Sequence, residues 1–325
     1  MYLSFQEIIE RVETEISRLR FTKKPDSLYV PISYLLSIGG KRIRPALALV
    51  ACNIYSDSIE HSIAPALCIE IFHNFTLMHD DLIDKADMRR KKPTVHKVWN
   101  ETTAILSGDA MLITAYQLMT ESPSPHLKEM LDLFTTTALE ICGGQQYDMD
   151  FESRTDVTEE EYIEMIRLKT AVLLACGLKT GAIAGGASEE EAMHLYELGV
   201  YIGLAYQLQD DLLDVYGDPG TFGKNIGGDI LSNKKTFLLI YALKQASKLQ
   251  NEELHRWFEK KDFDPGEKIA AFKRIYDDLG VKEATKAKIE AYYNKAWEHL
   301  HLLKAPHDRL IILEEVTNFL LHRQA

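Results

Sequence analysis

Two short acidic clusters carry the chemistry that this chain can do. His79-Asp80-Asp81-Leu82-Ile83-Asp84 and Asp210-Asp211-Leu212-Leu213-Asp214 each place three carboxylates within five residues. On a helix, side chains four residues apart share one face, about 6 Å apart along the axis. Asp80 with Asp84, and Asp210 with Asp214, therefore point the same way, with Asp81 and Asp211 on the shoulder. Like charges at this spacing cost an isolated helix roughly 0.2–0.5 kcal/mol per pair. A chain that does this twice has a cation to bind. Oxygen-only donors favour a hard ion such as Mg2+, usually held by one or two carboxylates together with substrate phosphates. A diphosphate fits the demand, because bridging metal ions neutralise the charge that develops as it leaves carbon.

The cations bunch where an anion could sit. Gly39-Gly40-Lys41-Arg42-Ile43-Arg44-Pro45 sets three of them beside a helix N-terminus, whose free N–H groups add to the side-chain charge. Alone, that stretch reads equally well as a solvated loop. Arg89-Arg90-Lys91-Lys92 follows the first acidic cluster. The basic groups divide into two sets. Arg89, Lys169, Lys224 and Lys234 suit a metal-bound diphosphate. Lys41, Arg44, His73 and Arg90 suit a second anion held without metal, arginine being well shaped for forked phosphate contacts. Two anion sites beside one apolar pocket imply two diphosphate substrates and a coupling reaction.

The elements that must position these groups read as helices. Ile8, Ile9, Val12, Ile16 and Leu19 recur at helical spacing. Pro25 and Pro31 precede a short helix over 32–37, and Pro45 suits the first turn of a helix carrying 46–54. Residues 59–83 form one long buried helix that ends on the first acidic triplet, where carboxylates oppose the helix dipole; such local rule-breaking is common at functional sites. His73 and His79 interrupt this apolar run, although a lone buried histidine is more often hydrogen-bonded core. Helices over 102–119 and 125–142 follow, then an interruption at Gly143-Gly144, an acidic loop over 152–161 and a helix over 162–183. Ser188 with Glu191 forms a capping box ahead of the helix that carries the second triplet. A glycine-rich loop, 217–228, leads to Asp229 and Lys234, and four amphipathic helices are expected beyond Phe237. Strand signals are nearly absent. The expected fold is all-α, a bundle of long helices around a central cavity, in a single domain over 1–325.

Composition narrows the class further. The 325 residues are 46% hydrophobic with a net charge of −12, which argues against a general nucleic-acid surface. Cys52, Cys68, Cys142 and Cys176 lie far apart in apolar helical stretches and read as core thiols in a reducing compartment. No signal peptide and no apolar run of ~18–20 residues is evident, so a cytoplasmic location is expected, with at most transient membrane contact.

Taken in order, these motifs resemble the trans-isoprenyl diphosphate synthases of the polyprenyl synthetase family, over nearly the whole chain. The resemblance rests on 39–45, on Glu70 and His73 leading to 79–84, and on Arg89-Arg90 and Gly108-Asp109. It continues through Gly144-Gln145 with Asp148, Lys169-Thr170, Tyr206-Gln207 before 210–214, and then Lys224 and Lys234. It implies a short-chain enzyme of the farnesyl or geranylgeranyl diphosphate synthase type, condensing isopentenyl diphosphate with an allylic diphosphate by ionisation, condensation and elimination. It further implies that Asp80, Asp84 and Asp210 ligate three Mg2+ ions, supported by Asp81 and Asp214, with Asp211 completing the second triplet. Gln145 and Asp148 would order metal-bound water. Arg89, Lys169, Lys224 and Lys234 would grip the allylic diphosphate, and Lys41, Arg44, His73 and Arg90 isopentenyl diphosphate. Thr170, Gln207 and the Lys169 carbonyl would face the allylic cation. A homodimer is also implied. Lys91 stands where the family usually has Gly, and Tyr206 where Phe is common.

Product length in such enzymes is limited by bulk one to two turns before the first triplet. Phe75 lies five residues before Asp80, next to the small Thr76, which suggests a C15–C20 product with C20 favoured. Tyr116 is a second candidate for the pocket floor. Two other readings compete. A class I terpene cyclase needs only one diphosphate and has no use for the second anion set. A non-catalytic subunit of a heteromeric prenyltransferase would have lost carboxylates, yet both triplets are complete.

Overall fold

The computed structural model describes residues 3–217 and 226–321, so Lys224 lies outside the described residues. Helices dominate, and among the described residues the strands amount to one two-residue pair. The residues cluster into two compact units. One comprises Met1–Thr135, Cys176–Tyr196 and Leu303–Leu313; the other comprises Thr136–Ala175, Glu197–Leu302 and Glu314–Ala325.

In the first unit, α1 (Phe5–Arg18) starts from a capping box between Ser4 and Glu7 and buries Ile8, Val12 and Ile16. The second helix, α2 (Asp26–Ser37), begins at Asp26 and not, as expected, after Pro31. Pro31 sits inside it, buried with Ile32, Leu35 and Leu36. That apolar burial offsets the one backbone hydrogen bond that proline removes. α3 (Ile43–Tyr55) is buried over 45–54, and α4 (Glu60–Ile83) runs as one helix, with Asp84 as its C-cap. β1 (Met88–Arg89) and β2 (Lys92–Pro93) pair antiparallel. The short α5 (Val95–Val98) leads to α6 (Glu101–Thr120), whose N-terminal amide at Thr103 is capped by the Asn100 side chain at 2.8 Å.

Gly143-Gly144 does not interrupt α7, which continues over Leu127–Ser153. Gly144 answers to packing instead: a Cβ there would lie 2.4 Å from the Lys169 backbone nitrogen. Cys142 is exposed on this helix, not a core thiol, whereas Cys52, Cys68 and Cys176 are buried. The run Glu159–Gly185 comprises α8 (Glu159–Ile166), a π-helical turn over Arg167–Ala171 and α9 (Val172–Gly185). By length and composition this run could cross a membrane, contrary to expectation, but 78% of its most apolar window is buried inside the protein. Its glycines serve close packing in the first unit: a Cβ on Gly181 would lie 2.0 Å from the Ala48 carbonyl oxygen of α3.

α10 (Glu189–Tyr216) ends on the second acidic triplet, and α11 (Gly228–Leu231) is a single turn. Beyond it come α12 (Phe237–Gln245), α13 (Lys248–Glu259), α14 (Pro265–Asp278), α15 (Val281–His301) and α16 (His307–Leu321). These are five helices where four were expected. Thr236, Ser247 and Asp264 each accept a hydrogen bond from the first-turn backbone of the helix they precede.

Candidate active site

The first unit assembles cations around a neutral histidine. Arg42 enters α3 with φ 50°, and its guanidinium is buried and fully engaged. It donates to Glu13 Oε1 at 2.8 Å, Glu70 Oε1 at 2.6 Å and the Leu36 carbonyl at 3.0 Å. Asn74 Nδ2 completes the set by donating to Glu70 Oε1 at 2.9 Å. Arg42 is therefore a scaffold for the 39–45 loop, a role its place among other cations concealed. It leaves Lys41 exposed on one side and Arg44 half-buried on the other.

Arg44 Nη1 lies 3.3 Å from His73 Nε2. Burial, followed by the charges of Arg44, Arg90, Arg89 and Arg42, holds the His73 imidazole well below its ordinary value. Neutral His73 thus accepts at Nε2 and carries its proton on Nδ1. Arg90 reaches the same place, donating to the Gly39 carbonyl. A Cβ on Gly40 would lie 2.9 Å from Arg90 Nη1, so glycine makes room for the guanidinium. Arg90 (φ 50°) and Lys91 (φ 65°) turn the β1–β2 hairpin in the left-handed region. The family's usual Gly at the second position meets that backbone demand, and Lys91 meets it with some strain. Of the isopentenyl set, Arg44, His73 and Arg90 are brought together with Lys41 on the adjoining loop.

The first carboxylate triplet divides by environment. Asp81 is buried and clamped in a forked pair by Arg89, with Nε to Oδ2 and Nη2 to Oδ1 both at 2.8 Å. Burial raises the Asp81 carboxyl despite this partner. Asp84 is exposed at the helix end, and Asp80 is half-buried. Two Arg89 donors are thus spent on fixing the triplet.

The second unit builds the other half of the predicted set. Lys169 Nζ pairs with Asp148 Oδ2 at 2.6 Å. Burial pushes the Asp148 carboxyl up, but Lys234 and Lys169 outweigh it and hold it below the usual range. Gln145 stands half-buried one turn earlier on α7. The π-helical turn holds Lys169-Thr170, and such turns recur at functional sites because they re-aim backbone carbonyls. Thr170 Oγ1 donates to Gln207 Oε1 at 3.1 Å, and Gln207 Nε2 donates to Asp211 Oδ1 at 3.0 Å. Buried Tyr162, which the motifs did not single out, donates its hydroxyl to Asp211 Oδ2.

Burial, then the charge of Asp229, pushes the Asp211 carboxyl up to about 7. Asp214 Oδ2 accepts from the Asp229 backbone N–H at 3.0 Å, and Asp210 is half-buried on the adjacent turn. Asp211, like Asp81, is therefore occupied inside the protein.

The donor set fits a divalent metal shared with a ligand. Among the described residues no three His, Cys, Asp or Glu side chains gather closely enough to form an all-protein cage. Mg2+ is held in the complementary way, by few carboxylates with water and phosphate oxygens. Asp80 with Asp84, and Asp210 with Asp214, supply oxygen donors four residues apart on helix ends.

The product-length candidates both lie in one aromatic row. Phe75 packs on Phe72 with ring centroids 5.4 Å apart, Phe72 on Phe134 at 5.2 Å, and Phe134 on Tyr116 at 5.0 Å.

Comparison with known proteins identifies the family. The Polyprenyl synthetase family pattern matches residues 25–278. The chain is 35% identical over 315 residues to a geranylgeranyl diphosphate synthase of Methanosarcina mazei, covering 96% of this chain and 95% of that protein. It is also 35% identical to a geranylfarnesyl diphosphate synthase of Natronomonas pharaonis, covering 97% and 95%. A crystal structure of a geranylgeranyl pyrophosphate synthase superposes with a TM-score of 0.92 at 39% identity, covering 100% of both chains. This chain belongs to the polyprenyl synthetase family.

Proposed function

We propose that the protein is a Mg2+-dependent short-chain trans-prenyltransferase that joins isopentenyl diphosphate to an allylic diphosphate. The observation that carries the reading is Arg44 held 3.3 Å from neutral His73 with the Arg90 guanidinium packed over Gly40 on the same loop. Such crowded like charge is relieved by a bound polyanion. Arg44, Arg90 and Lys41 hold the isopentenyl diphosphate, and His73 offers Nδ1–H to it. A terpene cyclase would have no substrate for these groups.

Lys169, Lys234, Arg89 and Lys224 grip the allylic diphosphate. Asp80, Asp84, Asp210 and Asp214 would hold the metal ions, three per active site, and Gln145 and Asp148 would order water beside them. Bound there, Mg2+ supplies charge neutralisation to the departing diphosphate. Asp81 and Asp211 act from behind, the first by aiming Arg89 and the second by fixing Gln207.

The allylic C–O bond breaks with its electron pair leaving on the diphosphate. The Thr170 and Gln207 oxygens and the Lys169 carbonyl stabilise the allylic cation. The isopentenyl double bond attacks that carbon, and the resulting tertiary cation loses a proton to the released diphosphate.

Phe75 stops the growing chain, giving a C15–C20 product with geranylgeranyl diphosphate favoured, and Tyr116 forms the floor of the same row. The geranylgeranyl relative stands at the upper end of that range, and the geranylfarnesyl relative one isoprene unit beyond it. The family match supports reading the chain as one functional domain. The protein works in the cytoplasm as a homodimer, and the exposed apolar residues Ile105, Leu106 and Ile113 on α6 support the dimer. Incubation with isopentenyl diphosphate and an allylic primer should release diphosphate only when Mg2+ is present. No release with any primer would refute the reading.

A further inference from the structure

His79 has no part in the site described above, yet it is held between two elements of the fold. Its Nε2 lies 3.1 Å from the Ile105 carbonyl oxygen of α6, so that nitrogen carries the proton and donates. Its ring meets Phe75, one turn earlier on α4, edge to face with centroids 4.8 Å apart and planes at 68°. At the same Nε2 edge α6 comes close only because residue 108 is glycine. A Cβ there would lie 2.1 Å from His79 Nε2 and 2.5 Å from Cδ2.

The imidazole is thus wedged between the Phe75 ring and the α6 backbone, and its rotation is fixed by the hydrogen bond. Phe75 is held between two rings, Phe72 on one side and His79 on the other.

We infer that His79 is a positioning residue for product length: α6, through Gly108 and the Ile105 carbonyl, sets the His79 ring, and His79 sets Phe75. This rests on Phe75 being the product stop. It also gives Gly108 a function that its helical position alone does not explain. A ring that halts a growing hydrocarbon chain must not yield to it, and the side chain behind it decides whether it yields. The contact is with the aromatic row and not with the phosphate or metal groups, so it acts on where elongation ends and not on substrate capture.

The test is a double-mutant cycle read by product chromatography. His79→Ala removes the ring behind Phe75 and should raise the ratio of longer to wild-type product severalfold. Gly108→Ala improves local helix propensity, but its methyl group displaces the imidazole, so it too should shift the distribution severalfold. The half-saturating Mg2+ concentration and the KM for isopentenyl diphosphate should stay unchanged in Gly108→Ala. Because the inserted methyl acts through the imidazole, Gly108→Ala should add nothing in the His79→Ala background. His79→Ala should likewise add nothing in the Phe75→Ala background.

The inference would be overturned by single variants that keep the wild-type distribution, or by a Gly108→Ala effect that persists without His79. A shift in Mg2+ dependence in place of product length would also overturn it, by assigning His79 to Asp80. A wild-type protein that makes no prenyl product at all would instead refute the proposed function, leaving the two failures distinguishable.

Discussion

The Arg44 guanidinium donates to His73 Nε2 across 3.3 Å, which fixes the imidazole proton on Nδ1. Because burial and four nearby cations depress the His73 pKa, only the unfolded chain takes up a proton as pH falls below the ordinary value of about 6.5. The stabilising contribution is therefore complete above that value and is lost as pH falls toward the native one. In urea unfolding, wild type should lose more stability than His73→Gln between pH 7.5 and pH 5.5. In kinetics, His73→Ala should raise the KM for isopentenyl diphosphate about tenfold, the loss of roughly one hydrogen bond to a charged group, without changing the KM of the allylic primer.

Arg42 should behave as a scaffold and not as a ligand. Arg42→Ala leaves Glu70 buried without its partner, a change that costs about 3–5 kcal/mol in comparable buried pairs. Denaturant unfolding should show that loss, and Glu70→Gln should cost less because the hydrogen bonds of Asn74 and Arg42 can persist.

Adjacent glycines on α7 should respond differently. Gly144→Ala drives a methyl into the Lys169 backbone at 2.4 Å, whereas Gly143 has nothing within 4 Å. Gly143→Ala should be neutral or stabilising by up to ~1 kcal/mol. Gly144→Ala should destabilise by about 1–3 kcal/mol and lower kcat through the displaced π-helical turn. Equal behaviour of the two variants in thermal unfolding and turnover would contradict this packing role.

The two carboxylate triplets, the long α4 and the helical class were legible because each rests on residue type and spacing. What stayed hidden was set by neighbours distant in sequence. Gly143-Gly144 reads as a break until Lys169 is seen against it, and Pro31 reads as a helix boundary until its burial is counted. Arg42 looked like one more anion ligand in a basic loop, whereas Glu13 and Glu70 consume its donors. Tyr162 gives no local signal, since an aromatic at helical spacing is ordinary core, and only the fold brings its hydroxyl to Asp211. Cys142 was misplaced for the same reason: composition locates a helix but not which of its faces is exposed.

The middle carboxylates should separate from their neighbours on substitution. Burial raises Asp211 to about 7, so between about 4 and 7 the native state binds the extra proton and stability falls as pH rises. Asp211→Asn removes that dependence, and its stability relative to wild type should grow from pH 5 to pH 8. Asp210→Asn should show no such gain while raising the Mg2+ requirement. A matching Mg2+ response in both variants would place Asp211 among the ligands.

The length stop should respond to side-chain volume. Phe75→Ala should shift the product beyond C20 in chromatograms of the dephosphorylated alcohols, with Tyr116→Ala adding a further, smaller shift. An unchanged distribution in Phe75→Ala would remove that residue from the role.

The most direct measurement is incorporation of labelled isopentenyl diphosphate into a prenyl chain, with dimethylallyl, geranyl or farnesyl diphosphate as primer and with Mg2+ or excess chelator. The account predicts labelled C15–C20 diphosphate, chiefly geranylgeranyl, with Mg2+ and none with chelator. Cyclised hydrocarbon from the allylic substrate alone, or no incorporation with any primer, would contradict it.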